Sequence, residues 1–336
     1  MKAEDFSFII PVYNRPEEVN ELLESFVGLD SEKSFEIVIV EDGSTISSKE
    51  IIESFTDTLN VSYYFKPNTG PGDSRNYGMQ KAKGTYFIIL DSDCILPKEY
   101  LNNVILSLNT KFVNCFGGPD AAHSSFTNIQ KAINFTMTSF ISTGGIRGRN
   151  QRVGEFQPRS FNMGISKTAF EASGGFGRIH PGEDPDLSIR LKKLGYKSKL
   201  ISDAFVFHKR RISWSKFYNQ VYRFGLARGI LNKWHPETKR ITYWFPSLFI
   251  LALAASFVLY FLNYKWFILA FAFYFVIIFI ISLISNKNII VALLSVLAVI
   301  IQFFGYGYGF LKSTLFVGLL NKDPEKRFSK LFFKYK

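Results

Sequence analysis

The sequence predicts an α/β domain built on a mostly parallel sheet, followed by C-terminal transmembrane helices. Three observations carry this. Short apolar runs alternate with stretches of helical spacing over the first two hundred residues, the pattern of βαβ units. Several of those runs end in a cluster of polar residues. Residues 241–320 then contain three Lys and no Asp or Glu.

Residues 6–12 (Phe-Ser-Phe-Ile-Ile-Pro-Val) read as the first strand. Asn14 stands where it would cap a helix with Pro16 just inside its start, and Val19, Leu22, Leu23 and Phe26 supply the helical spacing. Residues 35–40 read as a second strand ending in Glu41-Asp42-Gly43-Ser44, followed by a helix near 48–57 and a short strand at 61–65. The loop 67–72 leads into a helix carrying Asp73, Arg75 and Asn76. Residues 86–90 form a continuous apolar run, which at this length reads as a strand buried on both faces. A helix over 98–109, a strand over 112–117 and an amphipathic helix over 126–142 follow. The Gly- and Arg-rich stretch 143–159 reads as a surface loop, with a mobile loop over the site as the alternative. A short strand and turn at 161–166, a helix over 167–173 and a helix opening at Glu183-Asp184-Pro185-Asp186 and stopped by Gly195 come next. The last strand is 205–208, ending in His208, and a helix over 213–232 carries Trp214, Phe217, Val221 and Phe224 at helical spacing.

Asp91 and Asp93 follow the 86–90 run at once. Side chains alternate along an extended chain, so the two carboxylates are expected to point the same way. A divalent cation carrying phosphate oxygens would relieve their repulsion, because hard cations take carboxylate oxygens. The competing reading is an acidic turn before the helix at Pro97. In open α/β sheets ligands bind outside the carboxyl ends of the strands. Tyr13-Asn14, Glu41-Asp42 and Asp91-Ser92-Asp93 all fall at such ends, so three separate parts of the chain converge on one crevice, which weakens the competing reading. Asp42 suits a base or a ribose hydroxyl. The planar fork of Arg75 suits phosphate, with an exposed helix charge as the alternative. The acids at 183–186 are partly explained by capping and the helix dipole, but one of them beside a phosphate leaving group would also serve as a general base.

The chain has 336 residues, a net charge of +12, 17% aromatic residues and 36 Phe. The charge is unevenly placed. Residues 1–207 carry 22 Lys and Arg against 25 Asp and Glu, whereas 208–240 carry 9 against 1 and the tail 321–336 carries 6 against 2. Basic character therefore lies beside the apolar region, which points to an anionic membrane surface and away from nucleic acid. Cys94 and Cys115 show neither pairing nor metal spacing, as expected of ordinary buried thiols in a reducing compartment. The opening Met-Lys-Ala-Glu-Asp-Phe has no long apolar run, so no signal peptide is expected there.

Four divisions are expected: a domain over 1–207, a basic amphipathic membrane-surface segment over 208–240, a transmembrane region over 241–320 and a basic tail over 321–336. Spans are expected near 245–262 and 266–285, each long enough to cross a bilayer. Residues 289–320 form a third apolar stretch, interrupted by Gly305-Tyr306-Gly307-Tyr308-Gly309-Phe310. If both basic belts face the cytoplasm, the number of crossings is even. Either 289–320 breaks into two short passes, or one segment lies in the interface.

Pro-Val-Tyr-Asn at 11–14, Glu-Asp-Gly-Ser at 41–44, Asp-Ser-Asp at 91–93, Gly-Glu-Asp-Pro-Asp-Leu at 182–187 and Gln-Val-Tyr-Arg-Phe at 220–224 together resemble glycosyltransferase family 2, in order, over roughly residues 6–235. The resemblance implies a GT-A (Rossmann-like) fold and a nucleotide-sugar donor. It implies that Pro11, Tyr13, Asn14, Glu41, Asp42, Arg75, Asp91 and Ser92 hold the donor, and that Asp91 and Asp93 form the DXD motif that binds metal and diphosphate. It implies Asp184 as the general base beside Glu183, His208 as a further metal contact, and Gln220 and Arg223 as acceptor or diphosphate contacts. The cofactor expected is a divalent metal, Mg2+ or Mn2+, and inversion at the sugar carbon suits a single base.

Two departures stand out. The first acidic pair is Glu41-Asp42 where the family more often has Asp-Asp, and Phe224 replaces the Trp of the motif seen in processive synthases. Single-sugar transfer to a lipid-linked or glycan acceptor at the inner cell membrane is therefore expected, from a multi-pass protein whose catalytic domain is cytoplasmic. A processive polysaccharide synthase is the alternative, and a non-catalytic nucleotide-sugar-binding scaffold of a membrane complex is the alternative from another class. A transporter fits poorly, because no acid lies within a span.

Overall fold

The structure is a computed structural model that describes residues 1–121, 123, 125–144, 156–209 and 213–333. Most of the expected 143–159 loop lies outside the described residues. The chain divides into two units, one of Met1–His123, Gly154–Lys209 and Phe332–Lys336, the other of Ser124–Val153 and Arg210–Leu331.

The first unit contains β1 (Phe6–Val12), α1 (Pro16–Val27), β2 (Glu36–Asp42), α2 (Lys49–Glu53), β3 (Val61–Lys66), α3 (Pro71–Lys81), β4 (Tyr86–Leu90), β5 (Cys94–Ile95), α4 (Tyr100–Thr110), β6 (Cys115–Gly117) and β7 (Asp120–Ala121). After two helices that belong to the other unit, α5 (Asn128–Thr138) and α6 (Phe140–Thr143), it resumes with β8 (Asn162–Ser166), α7 (Lys167–Ser173), α8 (Glu183–Lys193), β9 (Ser198–Leu200) and β10 (Val206–His208). Seven strands form one sheet in the order β3-β2-β1-β4-β8-β6-β9. Only β8 runs against its neighbours β4 and β6; the other pairs are parallel.

The apolar runs at the centre of the sheet serve two cores, because alternate residues point to opposite faces. Phe8, Ile10, Ile37, Ile39, Ile88 and Leu90 pack on one face with Leu22, Leu23 and Phe26 of α1 and Tyr100 and Val104 of α4. Ile9, Val38, Val40, Phe87 and Ile89 pack on the other with Met79 of α3, Phe170 of α7 and Leu187 and Leu191 of α8. At Gly78 a Cβ would come within 2.7 Å of the Ile9 side chain, so a glycine there lets α3 lie close on the sheet. The result is a GT-A-like, mostly parallel α/β layer structure. A second, three-stranded sheet, β5-β10-β7, is built from segments of only two or three residues.

Two local expectations are corrected. Asn14 does not cap α1. Its backbone is left-handed (φ 53°), its side-chain oxygen accepts the N–H groups of Thr45 and Ile46 at 2.7 and 3.0 Å, and Arg15 stands at the cap position. Asn14 thus ties the end of β1 to the loop after β2. Asp91 and Asp93 do not share one extended strand. β4 stops at Leu90, and the Asp91 carbonyl accepts the Cys94 N–H at 3.2 Å in a turn, so strict alternation no longer applies.

The second unit comprises α5 and α6, then α9 (Trp214–Trp234), α10 (Phe245–Phe261), α11 (Trp266–Asn286), α12 (Ile289–Ser313) and α13 (Pro324–Arg327). The single helix expected over 126–142 is divided at Ser139, whose backbone is extended (ψ 139°). Among the described residues three segments, Ile241–Phe261, Trp266–Asn286 and Ile289–Leu319, are long and apolar enough to cross a membrane. Of the two readings left open for 289–320, the break into two short passes is not seen. α12 runs through the Gly-Tyr-Gly-Tyr-Gly-Phe string and continues into a π-helical turn at Thr314–Leu319. The glycines serve close packing instead: a Cβ on Gly309 would lie 2.2 Å from the Tyr222 carbonyl oxygen, and one on Gly225 2.2 Å from that of Tyr306.

Candidate active site

The polar clusters at the strand ends are organised by buried carboxylates. At the end of β2, Asp42 is 4% exposed and both of its oxygens are engaged. Oδ1 accepts from Lys66 Nζ at 2.5 Å and the Thr69 N–H at 3.0 Å, and Oδ2 accepts the Gly70 N–H at 2.8 Å. Asn68 closes the loop by donating to the Asp42 carbonyl at 2.9 Å. Glu41 faces the other way, accepting from the Ser48 N–H at 3.0 Å and from the Tyr63 hydroxyl. Between them these acids fix the loops that follow β2 and β3, while Tyr13 just past the end of β1 stands 51% exposed.

Arg75 is the hub of the next layer. α3 delivers it almost fully buried, 3% exposed, so the reading of an exposed helix charge is overturned. Its guanidinium donates to Asp91 Oδ1 at 2.7 Å and Glu183 Oε1 at 2.9 Å. His180 Nδ1 lies 2.8 Å from the same Glu183 oxygen. Burial works to raise the Glu183 carboxyl, but His180 and then Arg75 outweigh it and hold it well below the usual carboxylate range. Glu183 is therefore an ionised clamp at neutral pH. Removing one partner of a buried pair costs about 3–5 kcal/mol, so this chain of charges holds the first turn of α8 in place. Asp184, one residue on, is less buried; it lies 3.8 Å from Arg159 and accepts the Ser160 N–H at 3.4 Å.

Asp93 turns to a different set of partners. Arg15 pairs with it, and His208 Nε2 lies 3.1 Å from its Oδ1. The Arg15 guanidinium is held above its usual range chiefly by Asp93, against the effect of burial. The three-stranded sheet makes this meeting: His208 stands opposite Cys94, and Val206 of the same strand stands opposite Asp120. Asp120 then faces His208 Nδ1 at 3.6 Å, and the Phe161 ring stacks on the imidazole at 5.0 Å between centroids. Ser92 is buried between the two acids.

The profile of glycosyl transferase family 2 matches residues 7–174, half of the chain. The chain belongs to glycosyltransferase family 2. It is an enzyme of that family with a GT-A-like fold. Among its relatives is the Staphylococcus aureus poly(ribitol-phosphate) beta-N-acetylglucosaminyltransferase TarS, 34% identical over 129 residues, or 34% of this chain and 22% of TarS. An uncharacterised glycosyltransferase of Haemophilus influenzae is 38% identical over 97 residues, 28% of this chain and 38% of that protein. The chain thus matches only about a fifth to two fifths of the length of these relatives. Among solved structures, the mannosyltransferase PcManGT from Pyrobaculum calidifontis in complex with GDP-Man and Mn2+ shares the fold over 95% of this chain and 88% of its own, with a TM-score of 0.55 and 15% identity.

The donor set at Asp93 fits a divalent cation in this family 2 enzyme. Ligand atoms of Asp93, Cys94 and His208 all lie within 4.8 Å of one another. The carboxylate and the imidazole are the pair that could hold it. Burial, then Asp93 and Asp91, push the Cys94 thiol well up, so it stays protonated and donates to the Phe161 carbonyl at 3.4 Å. Imidazole beside carboxylate departs from the all-oxygen ligand set usual for Mg2+.

Pro11, Tyr13, Asn14, Glu41, Asp42, Arg75, Asp91, Ser92, Asp93, Glu183, Asp184 and His208 all belong to the first unit, whereas Gln220 and Arg223 lie on α9 in the second. There Arg223 donates to the Lys330 carbonyl at 2.8 Å. Arg15, Asp120, His180 and Phe333 were not singled out from the sequence. Arg15 sits one residue past the Pro-Val-Tyr-Asn signature, where a sequence signal existed. Asp120 is visible only through the two-residue strand β7. Phe333 comes from the far end of the chain: its N–H donates to the Arg178 carbonyl at 3.1 Å, and its ring occupies the space a Cβ on Gly70 would need.

Proposed function

We propose that this chain is an inverting, metal-dependent glycosyltransferase that moves a sugar from a nucleotide-sugar donor to a hydroxyl of a membrane-associated acceptor, lipid-linked or glycan. The observation that carries the reading is the pairing of Asp93 with His208 in the same unit that presents Asp184 at the start of α8. The donor class is supported by TarS, an N-acetylglucosaminyltransferase, and by PcManGT, whose structure is a complex with GDP-Man.

In this reading Tyr13 offers an exposed ring to the nucleotide, and Asp42 holds the 67–70 loop in shape around it. Arg75 holds Asp91 and Glu183 in position through its two ion pairs. Asp184 takes the proton of the acceptor hydroxyl as its oxygen bonds to the anomeric carbon, and the bond from that carbon to the diphosphate oxygen breaks on the opposite side. The nucleoside diphosphate leaves with the electron pair. A divalent cation on Asp93 and His208 would offset the charge of that leaving group. The apolar helices and basic belts support a place at the inner cell membrane with the first unit in the cytoplasm.

Asp184→Asn tests the assignment of the base. The expected result is donor affinity within about threefold of the original and turnover reduced by a factor of about 100 or more, since only proton transfer is removed. Loss of donor binding in parallel with turnover would reject Asp184 as the base.

A further inference from the structure

We propose that the chain crosses the membrane twice, through α10 and α11, while α12 stays with α9 on the face from which that hairpin enters. The inference rests on the membrane reading above. Three segments qualify as spans by length and composition, so one of them must be accounted for differently.

Parity gives the first argument. The chain leaves the first unit after Lys209 and rejoins it at Phe332. The return is built in: Phe332 forms an antiparallel bridge with Ile179, and the Phe333 N–H donates to the Arg178 carbonyl. A segment that leaves one water-facing unit and rejoins it crosses an even number of times in between.

Packing gives the second argument and names the helix. α12 runs parallel to α9: Gly305 meets Val221, Gly309 meets Tyr222, and Ser313 meets Gly229. α9 carries Lys216, Asn219, Gln220, Arg223, Arg228, Asn232 and Lys233 within its 21 residues. A helix so charged does not enter hydrocarbon without a high cost. The part of α12 in close register with it, from Gly305 on, therefore shares an interfacial environment, while Ser295 and Phe303 lie along α11 against Ser282 and Tyr274. Lys312 agrees, with its ammonium over the rings of Tyr222 and Tyr308 and donating to the Tyr222 hydroxyl at 3.2 Å.

The exposure pattern separates the three helices in the same way. About 44% of the apolar window of α12 is buried, against 11% for α10 and for α11. The exposed large apolar residues of α12, Ile289, Ile290, Leu293, Leu297, Phe304 and Tyr308, lie along one side of the helix, as a helix at an interface presents. α10 and α11 expose large apolar side chains on several sides, and their connecting turn carries exposed Tyr264, Lys265 and Trp266, the residue types that anchor at the far headgroup layer. Their lengths of roughly 25 and 31 Å, at 1.5 Å per residue, suit a bilayer core of about 30 Å.

The test is labelling of single cysteines by a membrane-impermeant maleimide in sealed membrane vesicles of one orientation. Lys265→Cys, Lys287→Cys and Lys322→Cys are compared with Lys49→Cys, an exposed site in the first unit. The native Cys94 and Cys115 are buried, and the unsubstituted chain sets the background. The expected result is that positions 287 and 322 label with position 49, and that 265 labels only after permeabilisation. Position 322 labelling opposite to 287 would show that α12 spans, and 265 labelling with 287 would show that the hairpin does not; either result overturns the proposal. Release of the unsubstituted protein from membranes by carbonate would instead defeat the membrane reading beneath it.

Discussion

Asp120 is the residue that separates metal binding from folding most cleanly. It is buried, faces His208 Nδ1, and stands where a carboxylate orients a ligating imidazole so that the other nitrogen meets the metal. Asp120→Asn keeps the volume of the side chain and removes the charge. Mn2+ affinity measured by calorimetry is expected to fall about 10–100-fold, with the thermal midpoint of the metal-free protein little changed. Unaltered Mn2+ affinity would reject the positioning role. What was legible in the sequence at this scale is that Asp91, Asp93, Asp184 and His208 each stand at an element boundary. What was not legible is which partner each acid takes. Asp91 goes to Arg75 and Asp93 to Arg15 and His208, since the strand ends before the alternation rule can act on them.

β1, β4, α7 and α8 formed within a residue or two of where the sequence placed them. β5 and β7 escaped because two residues carry no period to detect, yet these strands assemble the Asp93, His208 and Asp120 cluster. The glycine string of α12 misled for a different reason. Read alone, three glycines in six residues suggest a break. In the structure the helix cost is offset by backbone-to-backbone approach against α9, a contact with a segment some eighty residues away. Gly309→Leu is accordingly expected to force α9 and α12 apart and to destabilise the second unit by about 1–3 kcal/mol. The check is a thermal melt in detergent, with Gly318→Leu, where the nearest neighbouring atom is 3.7 Å away, as the control. Equal melting of the two variants would mean that the close approach contributes nothing.

At the scale of the whole molecule, charge and apolar surface are divided between a near-neutral α/β unit and a helical unit that is basic and apolar by turns. That division was visible in composition alone. The return of the C-terminal Phe332 and Phe333 to the first unit was not, because no local signal marks a contact that spans most of the chain. The central claim is metal-dependent binding and transfer of a nucleotide sugar at the Asp93–His208 pair. It is tested most directly by thermal shift and donor hydrolysis across UDP-, GDP- and dTDP-sugars with Mn2+ or Mg2+, on the original chain and on Asp93→Ala. The account predicts that at least one donor stabilises and is hydrolysed by the original chain only when metal is present, Mn2+ more effectively than Mg2+, and that Asp93→Ala abolishes both effects. Equal stabilisation and turnover with and without metal, or an Asp93→Ala variant as active as the original, would contradict it.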